Sequence, residues 1–332
     1  MNSEYVVRVW DGSEEIVPEF LLALREIFPT SSPSEDWLRW KHLRNPLGPS
    51  ILTFARHRTS GRVVALRFLW RHRLIVRGTG YLCFQACDTG VAAPHRRRGL
   101  FTALTQTALA RGRLDGGAIV FNFPNAKSRP GYLKLGFREL PAPSLLGVLF
   151  RPLKVLLARF NTPTTGLTPK RLPPAVLKRS DLTNWPAREP PASEWSIADH
   201  YSDQRRVWRF QNHPTQRYVV ANHTHHGRAV VRVNRRGGLL EAHLMEWEDE
   251  SLEDSRLVLR RLARTVRDVT GADFVTILGK PSAPRVAFGE GGPVVRLPSR
   301  LSHTGLALQP EFEWVVNPSG AWRLRGRDID TF

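Results

Sequence analysis

The stretch Arg96-Arg97-Arg98-Gly99 stands between a strand-like run, "LCFQACDTGV", and a helix-like run that begins at Leu100. These residue types in this order suit the binding of phosphate. The first turn of a helix leaves backbone N–H groups unpaired and carries about half a positive charge. Glycine at that point presents no Cβ, so a pyrophosphate can approach the backbone, and the arginines add charge around it. Other reactive residues give weaker signals. Cys83 and Cys87 lack the second pair that a four-ligand zinc site needs, and no paired histidine is evident to activate Cys87. His223, His225 and His226 in "NHTHHG" fall at an expected hairpin tip with no ligand-rich partner segment, so they read as a solvated turn.

A phosphate cradle needs a strand before it and a helix after it, and the flanking sequence supplies both. "SILTFARHRTSGRVVALRFLWRHRLIVRGTGYLCFQACDTGV" reads as three strands broken at the turn signals "TSG" and "RGTG". Residues 100–113 keep helical spacing, "GAIVFNF" is a buried strand, a short helix lies near "AKSRPGYLKL", and "GFREL" begins another strand. Upstream, residues 14–28 form a helix stopped by Pro29, and "DWLRWKHLRNP" forms a short second one. This order predicts an α/β chain of mixed α+β character, with mixed, mostly antiparallel sheets flanked by helices.

The second half repeats the first. "WKHLRNPLGPSILTFARHRTSGRVVALRF" from Trp40 and "WRFQNHPTQRYVVANHTHHGRAVVRVN" from Trp208 share a tryptophan, a proline, a strand, a glycine turn and another strand. Each is followed by a helical stretch and an apolar strand, "AIVFNF" or "DFVTIL". Between them lie the apolar "SLLGVLFRPLKVLLARFN" and the proline-rich "TPKRLPPAV" and "NWPAREPPAS". The expected division is an N-terminal domain over 1–145, an amphipathic helix and linker over 146–190, and a C-terminal domain over 191–332. The second copy has no cradle: its equivalent run, "EWEDESLEDSRLVLRR", is acidic where phosphate would sit. "DQRRVWRF" carries Arg205, Arg206 and Arg209 beside Trp208, a set able to hold an anionic or sugar-bearing molecule, or a helix whose tryptophan fills a core as Trp40 does.

The first copy resembles the GNAT superfamily of acyl-CoA-dependent N-acetyltransferases. The pyrophosphate loop of that superfamily, Gln/Arg-x-x-Gly-x-Gly/Ala, is matched by Arg96-Arg97-Arg98-Gly99-Leu100-Phe101, with Phe101 where glycine or alanine is usual. Val91 and Pro94 match the run into that loop, and Asn125, Tyr132, Gly136 and Phe137 match the Asn…Tyr-x-x-x-Gly-Phe signature. The resemblance implies two tandem GNAT-like domains with a degenerate C-terminal copy, and acetyl-CoA or another acyl-CoA as co-substrate without a metal. It implies that the amides and arginines of Arg96 to Phe101 hold the pyrophosphate, that Asn125 contacts the pantetheine arm, and that a backbone N–H near Val91 holds the thioester carbonyl. Tyr132 matches the general acid that protonates the departing thiolate. Most amines are protonated at neutral pH, so a base helps, and Asp88 lies near where the superfamily often places one; it equally suits a cap for the turn "DTG" or a partner for an arginine.

Composition constrains partners and location. The 332 residues include 41% hydrophobic residues and ten tryptophans, enough for a real core, and the formal net charge is +19. That excess attracts polyanions of any kind. No apolar leader or spanning run is evident, so the expectation is a cytoplasmic protein, with peripheral membrane contact through 145–160 as an added role. The expected reaction is direct acyl transfer to a small-molecule amine, an amino sugar or another metabolite. Two alternatives stay open: an aminoacyl-tRNA-dependent transferase of the tandem GNAT type, and a non-enzymatic basic protein that binds nucleic acid.

Overall fold

The computed structural model describes residues 4–30, 33–76, 79–158, 177–185, 195–196, 202–236, 238–248, 255–279, 286–287, 293–297, 301–317 and 322. In chain order the elements are β1 (Tyr5–Val9), α1 (Val17–Ile27), α2 (Glu35–Leu38), β2 (Ile51–His57), β3 (Val63–Val76), β4 (Thr79–Val91), α3 (Leu100–Leu114), β5 (Ile119–Asn122), α4 (Arg129–Lys134), β6 (Arg138–Leu140) and β7 (Ser144–Leu149). They continue with α5 (Pro152–Ala158), β8 (Trp195–Ser196), α6 (Asp203–Arg206), β9 (Tyr218–His223), β10 (Gly227–Arg236), β11 (Leu239–Trp247), α7 (Ser255–Thr270), β12 (Phe274–Gly279), β13 (Val286–Ala287), β14 (Val294–Leu297) and β15 (His303–Ala307). Among the described residues no helix is long and apolar enough to cross a membrane.

The strands form two mixed sheets, one in each of two compact units. The first runs β1-β2-β3-β4-β5-β15-β6, with β8 also on β3; the second runs β13-β14-β7-β12-β11-β10-β9. Each holds one parallel pair, β4 with β5 and β11 with β12, and antiparallel pairs elsewhere. The element order β2-β3-β4-α3-β5 recurs as β9-β10-β11-α7-β12, so the sequence repeat is a repeat of structure. It extends to an unusual detail. α2 and α6 are each capped by a serine hydroxyl, Ser34 or Ser202, and each runs into a π-helical turn, Arg39–Leu43 or Val207–Gln211, that buries its tryptophan.

In the first unit, strand alternation feeds two cores. Leu66 and Phe68 of β3 face Val17, Phe20 and Leu24 of α1, while Ala65 packs with Leu100 and Leu104 and Leu69 with Ala108 and Leu109, all four on α3. Full burial of each leucine, valine or phenylalanine among them contributes about 1.5–3 kcal/mol.

Neither unit is a contiguous stretch of chain. The first comprises Met1–Pro141, Pro190–His200 and Leu301–Ala321; the second comprises Ala142–Glu189, Tyr201–Arg300 and Trp322–Phe332. The expected boundaries at 145 and 191 therefore give way to an exchange of strands: β7 lies between β12 and β14, and β15 lies between β5 and β6. The helix expected from residue 146 is likewise a strand through Leu149, followed by the shorter α5. Leu145, Leu146 and Val148 are buried, and neighbours on both edges make a continuous apolar run compatible with β structure. Gly147 fits because a Cβ there would come 2.8 Å from Leu297. The proline-rich "TPKRLPPAV" lies wholly outside the described residues.

A fragment of residues 1–145 lacks the strand that joins β5 to β6. It should show no cooperative urea transition by circular dichroism, whereas the full chain should; a cooperative transition for the fragment would show that the exchanged strand is dispensable.

Candidate active site

β4 and β5 pair in parallel only over Cys83–Ile119, Phe84–Val120 and Gln85–Phe121. β4 then continues to Val91 with β3 as its partner. The Ala92 N–H donates to the Val64 carbonyl of β3 at 2.9 Å, so strand alternation turns the peptide groups of Val91 to the opposite side, which β5 has vacated. There the Val91 carbonyl accepts from Arg96 Nε at 3.1 Å, and its N–H faces the same opening. A bulge marks the divergence: Asp88 and Thr89 together oppose Arg67, since Phe68 pairs with Cys87 and Leu66 with Gly90. Asp88 adopts φ 44°, a left-handed conformation that aspartate tolerates better than most residues. Gly90 is required by packing, because a Cβ there would lie 2.1 Å from Ile27 of α1.

The bulge is tied down from the π-helical turn. Lys41 Nζ, fully buried, donates to Asp88 Oδ2 at 2.5 Å and lies over the rings of Trp37 and Trp70. His42 Nε2 is 3.2 Å from the same oxygen, its Nδ1 is 2.9 Å from Ser50 Oγ, and its ring stacks on Phe68. Burial opposes the charge on Asp88, but Lys41 and His42 outweigh it and hold the carboxyl well below the usual aspartate range. A carboxylate held this way is a poor proton acceptor, and its contacts with Lys41 and His42 tie the bulge to the π-helical turn. Burial lowers His42 to about 4, so it is neutral at pH 7. Burial also pushes the Cys87 thiol well up, against the pull of Lys41 and Arg67, which makes it a weak nucleophile. His42, Cys87 and Asp88 bring three donor atoms within 4.8 Å, a spacing that a metal could use, but the cation paired with this carboxylate is Lys41.

Downstream, a tight turn carries the three arginines to the start of α3. Arg97 and Gly99 both have positive φ, 61° and 77°, and Gly99 is the N-cap of α3, with no side-chain cap and no acidic residue in the first turn. The space beside Gly99 is open. Arg98 reaches Glu4 at 3.2 Å, and Arg97 is exposed. In the second unit the two described acidic residues of the corresponding run are already paired: Glu246 with Arg206 and Glu248 with Arg228. Residues 249–254 of that acidic run lie outside the described residues.

Tyr132 on α4 is buried between Phe101 and Phe137. Its hydroxyl accepts from Arg67 Nη1 and so keeps its own proton to donate. Phe101, the departure from the loop pattern, packs its ring on Tyr132 and beneath the Arg67 guanidinium, and Gly131 leaves room for it: a Cβ there would lie 2.7 Å from the Phe101 ring. Asn125 Oδ1 accepts the N–H groups of Lys127 and Ser128, closing the turn before α4. Sequence reasoning missed Arg67, Lys41 and His42; the available signal was an arginine inside the otherwise apolar "VVALRFLW". Arg205, Arg206 and Arg209 are buried with Trp208 in the second unit, not displayed on a surface helix. His223 Nδ1 accepts the N–H groups of His225 and His226, closing that hairpin turn.

Residues 11–140 match a family described as an acetyltransferase (GNAT) domain. No curated protein matches the chain in sequence. Among solved structures, the chain is similar to a GCN5-related N-acetyltransferase from Anabaena variabilis, with 12% identity, TM-score 0.56, and coverage of 92% of this chain and 73% of that one. It is similar to Saccharomyces cerevisiae N-myristoyltransferase with bound myristoyl-CoA, with 12% identity, TM-score 0.55, and coverage of 92% and 82%. A conserved protein from Enterococcus faecalis gives 10% identity, TM-score 0.58, and coverage of 92% and 73%. At such identities these likenesses concern the fold.

Two buried histidines set an acid sensitivity. His42 and His303 are both lowered to about 4 by burial, from 6.5 in an unfolded chain. The unfolded state therefore binds more protons between those values. The stability is intact above about pH 6.5 and is lost as pH falls toward 4. Urea unfolding at pH 7 and pH 5 should differ by on the order of 2 kcal/mol for each histidine, and His42→Gln should remove part of the difference. Equal stability at the two pH values would contradict the burial of neutral imidazoles.

Proposed function

We propose, starting from the match of residues 11–140 to a GNAT acetyltransferase domain, that this protein transfers an acyl group directly from acyl-CoA, acetyl-CoA in the first instance, to the amine of a small-molecule acceptor. The observation that carries the proposal is the uncapped start of α3 at Gly99, immediately after a strand whose partner has diverged. In this reading the amides from Arg97 to Phe101 receive the pyrophosphate, with Arg96, Arg97 and Arg98 around it and Leu100 opening the helix. The pantetheine arm lies along the open edge of β4, within reach of the Asn125 amide, and the Val91 N–H holds the thioester carbonyl, the group that gains negative charge during attack.

The amine attacks that carbonyl, the C–N bond forms and the C–S bond breaks. Tyr132 gives its proton to the departing sulfur and recovers one from solvent. Asp88 is too strongly paired to act as the base, so the acceptor's ammonium loses its proton to water. Asp88, Lys41 and His42 hold the bulge that aims the Val91 peptide.

Calorimetry should give about one CoA per chain, because one copy has an open cradle and the other has acidic residues in its place. Gly99→Val should abolish that binding, since a side chain at φ 77° strains the turn and obstructs backbone approach, and substitution of Glu248 should leave it intact. Two equivalent sites would contradict the assignment. Binding of tRNA with no binding of CoA would favour the tRNA-dependent or nucleic-acid reading of the +19 charge.

A further inference from the structure

Arg67 is a cation where the fold calls for an apolar side chain. It sits between Ala65 and Leu69 on the face of β3 that packs on α3, and it is fully buried. Among the described residues no carboxylate pairs with it. Its two terminal nitrogens go to neutral hydroxyls, Nη1 to Tyr132 at 2.5 Å and Nη2 to Thr105 Oγ1 at 2.7 Å, and Nε has no partner. Thr105 donates in turn to the Phe101 carbonyl at 2.6 Å, which orients its oxygen to receive the guanidinium. The guanidinium carbon lies 4.9 Å from the centre of the Tyr132 ring and 5.1 Å from that of Phe101. Such stacking offsets part of the desolvation, but it leaves the charge uncompensated.

We propose that Arg67 is a positioning residue for acyl transfer: it fixes the Tyr132 hydroxyl toward the leaving sulfur and supplies the countercharge for the oxyanion that Tyr132 becomes when it gives up its proton. This rests on the role given to Tyr132 above. In the resting site the guanidinium faces a neutral phenol. When the C–S bond breaks, the phenolic proton moves to sulfur, CoA leaves as the thiol, and the negative charge is on Tyr132 Oη, already hydrogen-bonded to Arg67 Nη1. A proton from solvent then restores the phenol. The cation is thus placed before the charge appears and needs no reorganisation when it does, which is how fixed charges lower barriers in dry sites. Phe101 is part of the device: its ring covers the guanidinium on the α3 side, and Gly131 admits it.

The test is a double-mutant cycle with Arg67→Met and Tyr132→Phe, assayed for transfer from acetyl-CoA to the best amine of a screened panel, with CoA affinity by calorimetry and folding by thermal unfolding. Arg67→Met alone should lower kcat roughly 10- to 100-fold, with CoA affinity within about 3-fold of the parent. In the Tyr132→Phe background the same substitution should cost less than about 2-fold, because the group through which it acts is gone. Arg67→Lys, which keeps the charge but loses the planar fork, should recover part of kcat, and it replaces Arg67→Met throughout the cycle if the latter does not fold. Equal losses from the Arg67 change in both backgrounds would overturn the proposal. So would a loss that appears only as weaker CoA binding. If Tyr132→Phe itself leaves kcat unchanged, the role of Tyr132 fails and the proposal falls with it. A parent enzyme that binds CoA but acylates no amine contradicts the function proposed above and not the geometry of the pair.

Discussion

The site depends on one feature of sheet geometry: β4 and β5 run in parallel for three registered pairs and then part. β5 ends at Asn122, one residue past the last of these pairs, and the positions of β4 beyond it have backbone donors and acceptors in need of other partners. Here β4 goes on to Val91 with one edge unpaired by β5, and that edge is the feature which the surrounding structure serves. The bulge at Asp88 and Thr89 adds twist where the strands separate. Gly90 lets α1 close over the opposite face, and the turn at Arg97 and Gly99 starts α3 directly beyond the opening.

Two buried cations among the described residues of the first unit, Lys41 and Arg67, do different work beside that opening. Lys41 has a carboxylate, and the pair fixes backbone. Losing one partner of such a pair costs about 3–5 kcal/mol, which gives the bulge a strong restraint. Arg67 has hydroxyls and aromatic faces in place of a carboxylate, so its charge remains available to the group it touches. The second unit repeats the frame with different chemistry. Its parallel pair also spans three registered positions, ending at His243–Thr276. Glu246 stands three residues beyond, as Asp88 stands three beyond Gln85, and Arg206 holds it. There the conserved geometry of the repeat carries a buried ion pair without an open, glycine-capped helix start among the described residues.

Local signals were readable in the sequence and long-range ones were not. The glycine start of α3 was legible because glycine and arginine between a strand and a helix constrain a few consecutive backbone angles. The internal repeat was legible because tryptophan, proline and turn residues recur at matching places. The strand exchange was not: "SLLGVLF" satisfies both helical and strand burial, and only pairing with β12 and β14, far along the chain, selects the strand. Arg67 was hidden for a related reason. An arginine in a strand ordinarily faces water, and its burial follows from the face that β3 turns to α3. The partners of Asp88 were hidden too, because Lys41 and His42 arrive from a π-helical turn that periodicity does not announce.

In the proposed function the opening beside β4, between the start of α3 and Tyr132, receives acyl-CoA. A crystal structure of the protein with CoA tests it most directly. The pyrophosphate should lie against the amides from Arg97 to Phe101, the pantetheine should follow the edge of β4 past Val91, and the sulfur should come within hydrogen-bond reach of Tyr132 Oη. CoA bound away from α3, or bound there with its sulfur remote from Tyr132, would contradict the claim.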